Sequence, residues 1–287
     1  MKDMPDHRDL DGRTVAARIL SEVRASAKAT ERMGRLVSVS IGDVPEIGVY
    51  VRNQERGAAR AGLRFDRQDW PGNISAEEAK RRIAEMNDDP DVLGVILQRP
   101  VPAHLNVRSL QSAIHPLKDV EGMNPASIGN IVYSDVALAP CTAAASVELI
   151  RETGLPMAGL EIVMIGHSEI VGKPAALMLM AEGATVTVCH HMTRSVAMHS
   201  RRADVVVVAV GKAHLVGPDM IKPGAAVIDI GINQTADGIV GDVDTDAVRE
   251  VAGWITPVPG GVGPVTVAIL MRNAMVAHER QVAAGWL

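Results

Sequence analysis

Four short apolar runs in the second half of the chain constrain its fold more than any other feature: Ile162–Ile165, Thr185–Val188, Val205–Val210 and Ala226–Ile230. Each is rich in β-branched residues, too short for a helix, and separated from the next by helix or turn signals. That is the pattern of strands buried on both faces, and it predicts an α/β fold with a parallel, doubly wound sheet. Composition agrees. With three Trp, two Tyr and one Phe in 287 residues, the core has to be built from Val, Ile, Leu, Met and Ala. A chain of this length has room for two domains.

The first half carries a second strand–helix alternation. Leu10-Asp-Gly12 leads into a predicted helix from about Thr14 to Ala27. Arg35–Gly42 reads as a strand, and Val49–Ala61 as a helix closed by Gly62. Ser75-Ala-Glu-Glu78 is a capping box that opens a helix to about Asn87. Val92–Leu97 is a buried strand ending at Gln98-Arg-Pro-Val-Pro102. The turn-rich segment Lys118–Pro125 has no apolar period and is expected at the surface or lining a cleft. Pro140-Cys-Thr142 precedes a helix to Thr153. Thr256–Pro264 is a rigid Pro/Gly loop, followed by a long helix from Val265 to about Ala283.

Net charge is −5 and no basic tract occurs, so no nucleic-acid partner is expected. Two distant cysteines fit a reducing compartment. The charged N-terminus does not resemble a signal peptide, and no apolar run reaches membrane-spanning length. A cytoplasmic protein without a membrane partner is the expectation.

The segment Glu161–Pro174 is strand, turn and helix in sequence, the arrangement that aims N–H groups and a helix dipole at a phosphate. It is not a complete dinucleotide fingerprint. Gly166 and Gly172 are present, but Ser168 stands where the middle glycine would be.

Six motifs in fixed order carry a wider resemblance: Lys118-Asp-Val-Glu-Gly122, Pro140-Cys-Thr142, Gly166–Gly172, Thr185–His190, Lys222–Asn233 and Thr256–Pro264. From about Leu10 to Met275 the chain resembles the bifunctional 5,10-methylenetetrahydrofolate dehydrogenase/5,10-methenyltetrahydrofolate cyclohydrolase family, often called FolD. The resemblance implies a folate-binding catalytic domain (1–139, completed by the C-terminal helix 264–287) and a Rossmann dinucleotide-binding domain (140–263). It also implies a cleft between them and a homodimer. Folate would lie against Tyr50, Gln98 and the loop containing Pro259, Gly260 and Gly261. The nicotinamide cofactor would lie on Gly166, His167, Ser168, His191, Gly211 and Ile232.

Position by position, the chain departs from that pattern. The family tyrosine that stacks on folate is kept as Tyr50, but the lysine four residues later is Gln54. An amide orients water yet exchanges no proton at neutral pH, and losing general acid–base help typically costs about 10²–10⁴ in rate. The neighbouring Arg52 and Arg56 point elsewhere on a helix. The second acid of the family's Lys-Asp-Val-Asp-Gly loop is Glu121, one methylene longer, and a serine three residues before the tyrosine is Ile47. Gln98 matches the family glutamine. Cyclohydrolase activity is therefore expected to be weak or absent, while hydride transfer, which asks mainly for positioning, is expected to survive.

On the cofactor side, the usual arginine and serine that touch the 2′-phosphate of NADP are His167 and His191. No acid follows the second strand to hold a ribose hydroxyl, and Arg194 lies close in sequence. NADP is expected, with NAD as the alternative. His190, His191 and His199 do not converge by spacing, so no metal site is expected. Three alternatives stand beside the dehydrogenase reading: a fully bifunctional enzyme, a non-catalytic folate- or nucleotide-binding paralogue, and a dehydrogenase for a modified one-carbon carrier.

Overall fold

The computed structural model describes residues 8–30, 33–45, 47–236 and 238–286. In chain order the strands are β1 (Arg8–Asp9), β2 (Arg35–Ile41), β3 (Arg64–Trp70), β4 (Val92–Leu97), β5 (Glu161–Ile165) and β6 (Thr185–Cys189). They continue with β7 (Val205–Val208), β8 (Ala226–Asp229), β9 (Asn233–Thr235), β10 (Gly238–Val240) and β11 (Trp254–Ile255). The helices are α1 (Gly12–Ala29), α2 (Ile47–Ala61), α3 (Ala76–Asp88), α4 (Val107–Ala113), α5 (Pro125–Val132), α6 (Cys141–Glu152), α7 (Gly172–Ala181), α8 (Val196–Ser200), α9 (Thr245–Arg249) and α10 (Val262–Ala283). They form two compact units. Of the described residues, one combines 8–16 with 142–266, and the other combines 17–141 with 267–286.

The first unit is a six-stranded, wholly parallel sheet in the order β1-β11-β8-β7-β5-β6. The four apolar runs form β5 to β8. Val205–Val208 and Ala226–Asp229 are buried throughout, as strands covered on both faces must be. Val163, Ile165, Val206, Val208, Val227 and Ile255 anchor one core cluster. Two of the runs end earlier than their apolar sequence, because Ala209–Val210 and Ile230 turn out of the sheet.

The N-terminal segment corrects the expected division of the chain. Arg8–Asp9 pairs in parallel with Trp254–Ile255 as the edge strand of the six-stranded sheet, so residues 8–16 group with this unit rather than with the folate block. Nothing apolar marks a two-residue edge strand; backbone pairing and the contact of Gly12 with the Gly260–Gly261 loop hold it. A Cβ at Gly12 would lie 1.7 Å from the Gly261 carbonyl oxygen.

The second unit holds a three-stranded parallel sheet, β3-β2-β4. Val37, Val39, Ile41, Val92, Val95 and Leu97 pack with Ile83 and Leu110 beneath helices α3 and α4. Ser75 accepts the Glu78 N–H at 3.1 Å, the capping half of the motif read from sequence. β3 was not legible: Arg64-Phe-Asp-Arg-Gln-Asp-Trp is mostly polar because it is an edge strand, where charge deters further pairing.

In this unit α10 is tied to the sheet by buried amides. Asn273 Nδ2 donates to the carbonyls of Val120 (2.9 Å) and Ala139 (3.1 Å), and Gln281 Nε2 donates to those of Leu93 (2.8 Å) and Leu117 (2.9 Å). The helix starts at Val262, three residues earlier than its apolar pattern indicates, with Pro264 in its first turn.

Candidate active site

Helix α2 places Tyr50 and Gln54 one turn apart. Tyr50 is 55% exposed, an aromatic face free to stack on a flat ligand. Gln98 follows β4 and is buried, its N–H bonded to the Val39 carbonyl at 2.9 Å. Its side-chain Nε2 donates to Gln54 Oε1 at 2.6 Å and to Ser38 Oγ at 3.0 Å. The sequence therefore named two residues that the fold joins directly. Ser38, buried on β2 and the third member of the chain of hydrogen bonds, carried no sequence signal apart from being polar within an apolar strand.

The segment expected at the surface or lining a cleft is anchored inward at its start. Lys118, Asp119 and Val120 are buried. Lys118 Nζ donates to the carbonyls of Met86 (2.8 Å) and Asp89 (2.7 Å). Asp119 accepts from the N–H groups of Met123 (3.0 Å) and Asn124 (2.7 Å) and from Ser127 Oγ (2.6 Å). Because every one of these polar atoms finds an internal partner, a turn-rich segment is stable inside the protein. Gly122 has φ +67°, and a Cβ there would meet the Ala139 carbonyl carbon at 2.3 Å, so the motif's glycine is a packing requirement.

That anchoring delivers Glu121. Its Oε2 accepts the Leu97 N–H at 2.9 Å, next in sequence to Gln98. Burial pushes its carboxyl up to about 7. The Leu97 N–H draws it down, the Asp119 charge raises it, and the Arg99 cation lowers it. Arg99 Nη2 is buried without a hydrogen-bond partner among the described residues. Burial, and then the charges of Glu121 and Asp119, push the Cys141 thiol well above its usual range, so it is no nucleophile at neutral pH. Ile47, in the position of the family serine, is buried and packs as a core residue.

In the other unit, Gly166 ends β5 with φ +119°, and a Cβ would lie 2.2 Å from the Ala209 carbonyl oxygen. A Cβ at Gly172, the first residue of α7, would lie 2.1 Å from the Gly166 carbonyl oxygen. Both glycines let the turn close against its neighbours. Ser168, in the place of the missing glycine, is exposed, and its Oγ accepts the Val171 N–H at 3.2 Å, which secures the start of the helix. Ile232 is 52% exposed.

Gly211 is held in place by a buried acid. Its N–H, with those of Val210 and Lys212, donates to the buried Asp242 carboxylate (2.7–2.9 Å). Asp242 also accepts from Asn233 Nδ2 at 2.9 Å. Asp229, beside it, accepts the N–H groups of Gly231, Asp242 and Val243, and burial pushes it up to about 6. This pair shapes the loops after β7 and β8 and was missed in the sequence, where Asp229 and Asp242 lie thirteen residues apart.

His190 and His191 meet His167 and not His199. His167 follows β5 and His190 and His191 follow β6, and parallel pairing of Ile165 with Cys189 brings them together. The ring centroids lie 4.6, 5.8 and 6.1 Å apart, whereas His199 sits apart on α8. Local desolvation, and then the charges of His190, Lys173 and His191, hold the His167 pKa below its ordinary value. Pro259, Gly260 and Gly261 belong to this same unit. Gly260 has φ +119°, and a Cβ there would crowd the Arg13 guanidinium carbon at 3.2 Å.

Residues 10–121 match the catalytic domain described as tetrahydrofolate dehydrogenase/cyclohydrolase, and residues 140–282 match the NAD(P)-binding domain of the same description. The chain is 75% identical over 288 residues to bifunctional protein FolD 3 of Roseobacter denitrificans, covering 99% of each. The structure of the bifunctional FolD enzyme from Campylobacter jejuni superposes with a TM-score of 0.92 at 34% identity, covering 96% of this chain and 99% of that one. The Trypanosoma brucei dehydrogenase–cyclohydrolase, solved with NADP cofactor and an inhibitor, gives 0.90 at 35%, covering 97% and 99%. The chain belongs to the tetrahydrofolate dehydrogenase/cyclohydrolase family.

Proposed function

We propose that this protein is a bifunctional enzyme of one-carbon metabolism. It oxidises 5,10-methylenetetrahydrofolate to the methenyl cation with NADP and then adds water to give the formyl product. The relatives' bifunctional names favour this over the expectation, drawn from Gln54 alone, that hydrolysis is lost. The observation that carries the reading is the cluster of Gln54, Gln98 and Glu121 at the end of β4.

In this reading Tyr50 stacks on the folate aryl group. Gln54 and Gln98 orient the attacking water, and Glu121, titrating near neutrality, takes the proton that the lysine would otherwise handle. Gly166 and Gly172 close the turn after β5 tightly against backbone, and N–H groups in the Gly166–Ser168 turn ahead of α7 would hold the dinucleotide phosphates, with Ile232 beside them. A nicotinamide cofactor, when bound, accepts the hydride. His167 and His191 would contact its 2′-phosphate.

A second reading, a dehydrogenase with impaired cyclohydrolase, is favoured by the short Gln98–Gln54 bond, which joins two amides where an ionisable group is wanted. We take the assembly as a homodimer acting in the cytoplasm. Among the described residues no helix is long and apolar enough to cross a membrane. The test is turnover of methylenetetrahydrofolate with NADP and with NAD, following both products. Prompt formyl product supports the bifunctional enzyme, lasting accumulation of the methenyl cation supports the second reading, and cofactor binding without either product refutes both.

A further inference from the structure

We propose that His167, His190 and His191 form a binding site for a divalent transition-metal ion of the zinc class. One ring nitrogen from each residue can be chosen so that all three lie within 4.8 Å of one another. Convergence is built into the sheet. The Gly166 N–H donates to the Cys189 carbonyl at 2.9 Å, so the residues that follow each strand leave the same edge side by side. Zinc–imidazole bonds are about 2.0–2.1 Å, so tetrahedral ligands sit roughly 3.4 Å apart. His167 and His191 are exposed, and rotation of their side chains closes the remaining gap without moving the strands.

The donor set selects the ion. Three imidazoles and no carboxylate suit Zn²⁺, Co²⁺, Ni²⁺ or Cu²⁺ and disfavour Mg²⁺ and Ca²⁺, which want oxygen ligands. His190 Nδ1 accepts the Met192 N–H at 3.1 Å. While that bond persists, the neutral ring carries its proton on Nε2, so ligation exchanges the Met192 hydrogen bond for a metal–nitrogen bond. Three protein ligands leave a fourth position open. Lys173 and the N-terminus of α7 make the surroundings positive, which favours an anion as the fourth ligand. If the cofactor lies on Gly166–Ser168, as proposed above, metal occupancy also alters dinucleotide affinity, but metal binding itself does not depend on that reading.

The test uses the full chain freed of metal and cofactor. Zn²⁺ alone is titrated by calorimetry, and Co²⁺ is followed by its visible absorption. One ion per chain with a tetrahedral Co²⁺ spectrum is expected. Affinity should fall by at least about tenfold in His167→Arg and in His191→Ser, each checked for unchanged thermal unfolding. His190→Asn provides a third arm should either variant fold poorly. Cys189→Ala should leave binding unchanged, because the cysteine is buried beside His190 and is not a ligand in this proposal. Absence of saturable binding, undiminished binding in both exposed-histidine variants, or loss of binding in Cys189→Ala would overturn the site.

Discussion

Replacing Glu121 by glutamine tests both the energetics and the chemistry of the folate-side cluster. Gln keeps the shape and still accepts the Leu97 N–H, so what it removes is the titratable proton and the negative charge. In the folded chain the Glu121 carboxyl is pushed from 4.5 up to about 7, mainly by burial. Between those values the folded state holds more protons than the unfolded one, so stability falls as pH rises through the window and levels off above it. The full difference amounts to about 3 kcal/mol of destabilisation in the wild type above pH 7. Glu121→Gln does not titrate. It should match the wild type near pH 4 and be more stable by on the order of 3 kcal/mol at pH 9. Chemical denaturation at pH 4, 6 and 9, followed by the fluorescence of Trp70, which is buried in the same unit, measures the difference. In parallel, hydrolysis of the methenyl substrate should fall by roughly 10²–10⁴. A stability difference that does not change with pH, or a variant less stable than wild type at pH 9, would refute the burial argument. Unimpaired hydrolysis would refute the role of Glu121 as proton carrier.

Gln54→Lys should accelerate hydrolysis by up to about 10²-fold, since Gln98 can turn its carbonyl toward the ammonium while Ser38 donates in its place; paired rate measurements of the two steps check it, and no gain would show that position 54 is not limiting. His167→Arg should raise NADP affinity over NAD by roughly tenfold or more, because a charge-assisted contact to phosphate is worth about 1.5–3 kcal/mol; binding titrations with both cofactors decide. Gly166→Ala combines a positive φ with a Cβ 2.2 Å from the Ala209 carbonyl oxygen and should destabilise by more than about 2 kcal/mol while abolishing dinucleotide binding, read by thermal unfolding and cofactor titration. Asp242→Ala strands the N–H groups of Val210, Gly211 and Lys212 and should cost about 3 kcal/mol or more, measured by denaturation; a loss within 0.5 kcal/mol would show that the turn reorganises.

By itself the sequence determined the parallel sheet, because strands buried on both faces must be continuous apolar runs, and Val205–Val208 shows no alternation that could mislead. It also determined which positions depart from the family pattern, since Gln54, Glu121 and His167 are read from residue identity within a motif. The polar edge strand Arg64–Trp70 was not legible, as its side chains are left largely exposed and need not be apolar. Nor was the pairing of Arg8–Asp9 with Trp254–Ile255, which rests on backbone hydrogen bonds, the Arg249–Asp9 ion pair and the stacking of Arg8 on Trp254, none of which leaves an apolar pattern. Tertiary structure alone decided that Lys118 and Asp119 are buried, because burial of a charge depends on partners such as the Met86 and Asp89 carbonyls supplied by another segment. It alone raised Glu121 toward neutrality and gathered His167 with His190 and His191. A carboxyl's affinity for its proton and the meeting of three imidazoles are both properties of distance, and distance between remote residues is set only when the chain has folded.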